Sequence, residues 1–319
     1  MTRVRAAALA SDAQAESVAQ ASLAAGGGAL DAAISGFFGA AAVHPGVLLS
    51  PIAVLVGGVG EGGRLFDGRS LQPGRGTRRP RGFADANAIP DAARVPIPTS
   101  IATLSYAHAY AHGRSWRSLI EPAIALAERN GAPKRARFLE RIAEVGAGAL
   151  ADPSYRRPLL RLGSAAEGGL VTPSDLEPPE LAAEPLAERK LDGADWLVAP
   201  GSGGDDAQSA SAILAVDAQG VFAAVAYRRV ELGRVVDELE VLVPLSAVPV
   251  VRGVPRVGPG TRLGSGFALG LCIDERARPV EVSFEPWRSS LGEVTSGSAR
   301  ISVRRDPETR LVSTRRLAS

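Results

Sequence analysis

Few residues in this 319-residue chain have the type and spacing for chemistry. His108 and His112 lie four apart in HAYAH, which puts two imidazoles on one helix face, the spacing of a zinc pair. No glutamate follows the first of them and a third ligand is missing, so the pair reads as helix surface and no metal is expected. Asp205 and Asp206 follow Gly203 and Gly204 and read as an acidic turn before a strand. Residues 57–63, GGVGEGG, have the glycine density of a phosphate cradle but lack the Lys-Ser/Thr that completes one, so they read as a turn or hairpin and no cofactor is expected. Cys272, the single cysteine, sits in ALGLCID and reads as a buried strand residue. Arg69 in DGRSLQP offers a planar fork suited to a carboxylate. Its competing reading is a solvated loop arginine, because Arg64, Arg75, Arg78 and Arg79 crowd the same region.

Charge and length exclude several partners. With 36 Lys plus Arg against 34 Asp plus Glu, the formal charge of +2 gives no basis for nucleic-acid binding. The basic run at residues 75–81, RGTRRPR, reads as a Gly/Pro/Arg-rich mobile loop. The apolar run before Ser11 is too short for a signal-peptide core, and no stretch reaches the length of a membrane span. A cytoplasmic protein without a membrane partner is expected. A hydrophobic content of 45% is enough for one large core or two coupled ones.

The elements that would position these residues divide the chain in texture. Residues 11–45 predict two Ala-rich helices separated by a glycine turn, with Asp31 near a helix start. Residues 47–58 and 64–66 predict buried strands, and residues 73–98 a long mobile loop. Helices are expected at 101–112, 117–130 and 135–149, and an extended connector at 178–185. From Trp196 onward the pattern predicts strands at 212–216, 221–227, 235–243, 267–273, 280–284 and 299–303. An α-rich first half and a β-rich second half imply an α+β architecture.

Six stretches, in order, resemble the gamma-glutamyltransferase family. Gly27-Gly28-Ala29-Leu30-Asp31-Ala32-Ala33 is similar to its Gly-Gly-Asn-Ala-Val-Asp-Ala-Ala turn, and Asp67-Gly68-Arg69-Ser70-Leu71-Gln72-Pro73 to its Asp-Gly-Arg-Glu-Thr-Ala-Pro element. VPIPTSIATL at 95–104, GRSWRSLIEPAIALAE at 113–128 and GGLVTPSDL at 168–176 resemble three further family stretches, and QSASAILAVD at 208–217 lies where the family keeps its nucleophile. The resemblance implies an N-terminal-nucleophile (Ntn) hydrolase fold, a four-layer αββα sandwich of two stacked, mainly antiparallel sheets. Residues 1–205 would form a large-subunit-like half and 206–319 a small-subunit-like half, together one structural unit.

In that superfamily a Thr, Ser or Cys at the first position of a strand attacks the preceding peptide bond, and its freed α-amine then serves as base. Counting back from Asp217 puts Ala210 at this position, and a methyl group cannot attack a carbonyl. Ser209 and Ser211 are the hydroxyls nearby: Ser211 requires a one-residue slip that inverts the strand's faces, Ser209 a bulge or a shifted cleavage point. Val230 replaces a substrate-contacting asparagine, and Ser283-Phe284-Glu285-Pro286-Trp287 stands where Gly-Gly would supply oxyanion-hole amides. The resemblance thus implies a gamma-glutamyltransferase-like protein that has lost self-cleavage, acting as a non-catalytic subunit or small-carboxylate binder. Its site would use Arg69, Gly264 and Ser265, its ligand would be a gamma-glutamyl compound or small amino-carboxylate, and its partner an active paralogue or a second copy. The alternative is a divergent gamma-glutamyl hydrolase or transferase, or a related amidohydrolase, using Ser209 or Ser211 as its N-terminal nucleophile after self-cleavage.

Overall fold

The computed structural model describes residues 4–59, 62–77, 82–111, 113–191, 193–200, 210–264, 266–284 and 300–317. Six α-helices are described: α1 Ala13–Ala24, α2 Ala29–Val43, α3 Ser100–Ala111, α4 Trp116–Arg129, α5 Pro133–Val145 and α6 Pro153–Leu162. Helix α1 starts where Asp12 accepts from the backbone N–H groups of Gln14 and Ala15, both at 2.9 Å. Helix α2 starts where Asp31 accepts from Gly28 N–H at 3.0 Å and Asp217 accepts from Ala29 N–H at 3.1 Å. Residues 29–42 of α2 are all buried, as befits a helix apolar around its whole circumference. Gly36 lets α1 and the sheet approach, since a Cβ there would lie 3.0 Å from the Ala15 carbonyl and 3.1 Å from Ile213.

The strands are β1 Ala7–Ala10, β2 Ile52–Gly57, β3 Gly63–Gly68, β4 Ala183–Pro185, β5 Ala187–Leu191, β6 Ala194–Val198, β7 Ala210–Val216 and β8 Phe222–Arg228, followed by β9 Arg234–Val236, β10 Val241–Val243, β11 Leu269–Ile273, β12 Pro279–Phe284, β13 Arg300–Arg305 and β14 Val312–Leu317. Two six-stranded sheets run β1-β7-β8-β2-β3-β4 and β14-β13-β12-β11-β6-β5, antiparallel throughout, with β9 and β10 as a separate hairpin. Because side chains alternate along a strand, β7 sends Ala212, Leu214 and Val216 toward the second sheet, and β8 sends Phe222, Ala224 and Ala226 the same way, against Leu269, Leu271, Val282, Phe284, Ile301 and Val303. The intervening residues Ile213, Ala215, Ala223, Val225 and Tyr227 face the helices, meeting Ile34, Phe37 and Phe38 of α2. The α+β architecture of two stacked, antiparallel sheets expected from the sequence is observed. The described helices gather on the first sheet, so helix, sheet and sheet are the layers seen among the described residues.

Several boundaries differ from the sequence reading. Residues 47–51 are a turn, with Val47 N–H donating to the His44 carbonyl and Ser50 N–H to that of Val47, and β2 begins only after Pro51, which has no N–H for a ladder. The run 235–243 is the hairpin β9–β10, reversed by Glu240 at φ 52°. Strands β1, β5, β6 and β14 and helix α6 were not expected. Strands β5, β6 and β14 carry charged outer residues, β1 is only four residues long, and α6 is a ten-residue helix with Pro158 inside it, so none of them presents a long apolar pattern. The glycine cluster at 57–63 falls at the β2–β3 hairpin.

Candidate functional site

The loop after β3 carries Arg69. Gly68 is required just before it, because a Cβ there would lie 2.5 Å from Ile52 Cγ1 and 2.8 Å from Thr103 Oγ1 of α3. Asp67, buried on the inter-sheet face, receives Arg69 Nε at 3.1 and 3.0 Å on its two oxygens and Nη2 at 2.8 Å. Arg69 Nη1 donates to the Gly264 carbonyl at 3.0 Å. These bonds use three of the five guanidinium N–H groups. Arg69 is thus mostly buried and paired internally, neither freely solvated nor fully spent. Arg262 completes the cluster, its Nε 3.4 Å from Asp67 and its Nη1 2.5 Å from Glu184.

The loop is fastened from behind by GGLVTPSDL. Asp175, 3% exposed, accepts from Gly74 N–H at 2.9 Å, Arg75 N–H at 3.0 Å and Thr172 N–H at 2.9 Å. Thr172 Oγ1 in turn donates to the Arg75 carbonyl at 3.0 Å. The carboxylate is what turns residues 69–75 into a fixed platform, since each of those buried N–H groups needs an acceptor.

Ala210 is the first residue of β7, and its side chain packs toward the second sheet. Its cross-strand partner is Arg228, the last residue of β8. By the same alternation Arg228 follows Ala226 on the inter-sheet face, and its guanidinium carbon lies 5.4 Å from the centre of the Phe267 ring. Ser211 points the other way, to the helical side, where it pairs with Tyr227 and shares a hydrogen bond with its phenol. Burial pushes that phenol well above its usual range, and the Asp12 carboxylate adds to the effect. His44 Nε2 and Asp12 Oδ2 are 2.9 Å apart at the same end of the sheet.

Other residues singled out by the sequence fall apart. His108 Nε2 donates to the Arg114 carbonyl at 2.7 Å, and its ring lies against Trp116. His112, Asp205, Asp206, Ser209, Ser265 and residues 285–287 lie outside the described residues. No group of three His, Cys, Asp or Glu is placed to hold a metal among the described residues, and none of the described helices is long and apolar enough to cross a membrane. Cys272 is in strand β11 but half-buried, on the face away from the inter-sheet core. Burial pushes its thiol up and Glu281 adds to this. Sequence reasoning missed Arg228 and the Asp12–His44 pair. The Phe222, Ala224, Ala226, Arg228 alternation was the signal that places Arg228 beside position 210.

No family model matches the sequence, and a search of curated proteins finds no match. Solved structures do resemble the fold. A cephalosporin acylase from Bacillus halodurans superposes with a TM-score of 0.75 at 11% identity, over 100% of this chain and 96% of that one. Gamma-glutamyltranspeptidases from Pseudomonas nitroreducens, complexed with L-DON, and from Helicobacter pylori each give a TM-score of 0.51, at 22% and 19% identity, over 61% of this chain and 70% of theirs. The chain has the fold that these proteins share, the Ntn-hydrolase fold that its ordered motifs resemble.

Proposed function

We propose that this protein binds a small carboxylate, in the class of amino-carboxylates and gamma-glutamyl compounds, and that it neither cleaves itself nor hydrolyses amides at position 210. The observation that carries the reading is the pair Ala210–Arg228. A methyl group stands at the start of β7, directed toward the second sheet, and a cation faces it across the ladder. Ser211 is a poor substitute, because its hydroxyl is on the opposite face of the strand and is bonded to Tyr227. Arg69 is the anchor for the carboxylate, since Asp67 and Gly264 fix its plane while two N–H groups remain beyond the three already bonded.

Two measurements test this. Intact-mass analysis of freshly purified protein should give a single polypeptide. Two stable fragments with a new N-terminal Ser209 or Ser211 would overturn the non-cleaving reading in favour of an amidohydrolase. Calorimetric titration with glutamate should show binding that Arg69→Ala weakens tenfold or more, as expected for loss of a charge-assisted pair of hydrogen bonds worth about 1.5–3 kcal/mol. Equal binding by both proteins, or by neither, removes Arg69 from the site.

A further inference from the structure

The basic run that opens at Arg75 starts on a fixed stretch of backbone. Gly74 and Arg75 donate their N–H groups to Asp175, and the Arg75 carbonyl accepts from Thr172 Oγ1. A second segment runs antiparallel beside this loop, with Leu71 opposite Arg262. Leu263 N–H donates to the Ser70 carbonyl, Gln72 N–H to that of Thr261, and Gly260 N–H to that of Gln72, each at 2.8 Å. Two arginines reach across this seam in opposite directions. A Cβ on Gly260 would lie 3.9 Å from both Nε and Nη2 of Arg75, and one on Gly74 would lie 3.2 Å from Nη2 of Arg256. Gly74 has φ 115° and Gly260 φ 82°, conformations that keep both crossings free of a side chain.

Neither guanidinium has a carboxylate partner among the described residues. The Asp175 carboxylate behind the loop is taken up by the N–H groups of Gly74, Arg75 and Thr172. Arg256 stands out further, because its Nε and Nη2 are both buried and neither has an acceptor. Those two atoms form one edge of the planar fork, the edge through which arginine grips an oxyanion with two parallel N–H bonds. At Arg156 and Arg305, by contrast, the buried unbonded atom is Nε alone. A charged donor edge held away from water without an acceptor is costly, and an anion removes that cost. Residues 252–255 and 258–259 around it are exposed, as is Gly76 on the facing loop, so the edge lies just beneath the surface.

We propose that this seam binds a phosphate-class oxyanion, inorganic phosphate or a small phosphate monoester, between Arg75 and Arg256. A tetrahedral dianion carries acceptors in several directions and matches two uncompensated cations arriving from opposite sides, whereas a carboxylate presents one planar edge. The site is separate from the carboxylate anchor, since Arg69 lies at the other end of the seam, against the Gly264 carbonyl.

The test is titration of the full-length protein with inorganic phosphate at constant ionic strength, by calorimetry and by thermal melts, for the parent, Arg75→Gln, Arg256→Met and Arg69→Ala. The parent should take up one phosphate per chain, saturably. Arg75→Gln and Arg256→Met should each weaken this at least tenfold, while Arg69→Ala leaves it unchanged and glutamate does not compete. Without phosphate, Arg256→Met should melt no lower than the parent, because it removes an unpaired buried charge. Added phosphate should then raise the melting temperature of the parent and not that of the variant. Absence of saturable binding by the parent, or full binding by either seam variant, overturns the site. So does an Arg256→Met protein that melts below the parent in phosphate-free buffer, which would make the guanidinium a structural tie. Loss of phosphate binding in Arg69→Ala would place the anion at the carboxylate anchor instead, and none of these failures alters the glutamate titration that tests that anchor.

Discussion

Position 210 presents a methyl group at the first residue of β7, and Arg228 opposite it adds positive charge to the same row. A second residue-scale feature lies on the helical side. Asp12 is opposed by burial, which raises its pKa, but the Ala15 N–H, the His44 side chain and the Gln14 N–H more than offset this and hold the carboxyl below 3.8. A carboxyl with a depressed folded-state pKa contributes stability that is present above its unfolded value and is lost as pH falls through the folded one. The Asp12 contribution should therefore be complete above about pH 5 and fade below pH 3.8. Melting temperatures of the parent and Asp12→Asn, which keeps a capping acceptor, should differ near neutrality and converge in acid. A gap that is constant with pH would assign the difference to packing instead.

At the scale of elements, the arginine platform depends on two contacts that the motif itself does not contain. Asp175→Ala would leave the buried N–H groups of Gly74 and Arg75 without their acceptor, at a cost of roughly 2–4 kcal/mol. Urea denaturation should read that loss, and the same variant should bind glutamate more weakly because the loop beside Arg69 is no longer fixed. Unchanged stability would show that these N–H groups find other acceptors. Gly68→Ala acts from the other side. Its methyl would press on Ile52 and Thr103, so about 1–3 kcal/mol of stability should be lost by the same measurement as α3 is pushed from the β2–β3 hairpin.

The whole molecule is stitched from both ends of the chain. Strands β7 and β8 are inserted between β1 and β2, and β5–β6 pair with β11, so each sheet needs strands from before and after residue 205. Asp217 adds a further tie, accepting at once from Ala29 N–H at the head of α2 and from Gln219, Gly220 and Val221 in its own hairpin. A single cooperative unfolding transition is expected, with calorimetric and van't Hoff enthalpies in agreement. Residues 1–205 expressed alone should show no cooperative melt, and a folded fragment of that length would refute the interdependence.

What the sequence determined by itself was whatever local pattern controls. The helices α1 to α5 and the strands β7, β8, β11 and β12 follow from apolar spacing, turn residues and the order of the motifs. Strands β5 and β14, at the two edges of the second sheet, and β6 beside β5 were hidden because strands with charged outer faces have little alternation to read. Only the tertiary structure decided which residues share a row of the first sheet. Arg69 and Arg228 are 159 positions apart in the sequence, and nothing local to either says that both flank Pro51. Register decides this, because a one-residue slip would turn Arg228 to the helices and Ser211 to the second sheet. That register is held by the buried alternation of β7 and β8 between two cores, a property of the packed sheets rather than of any one segment.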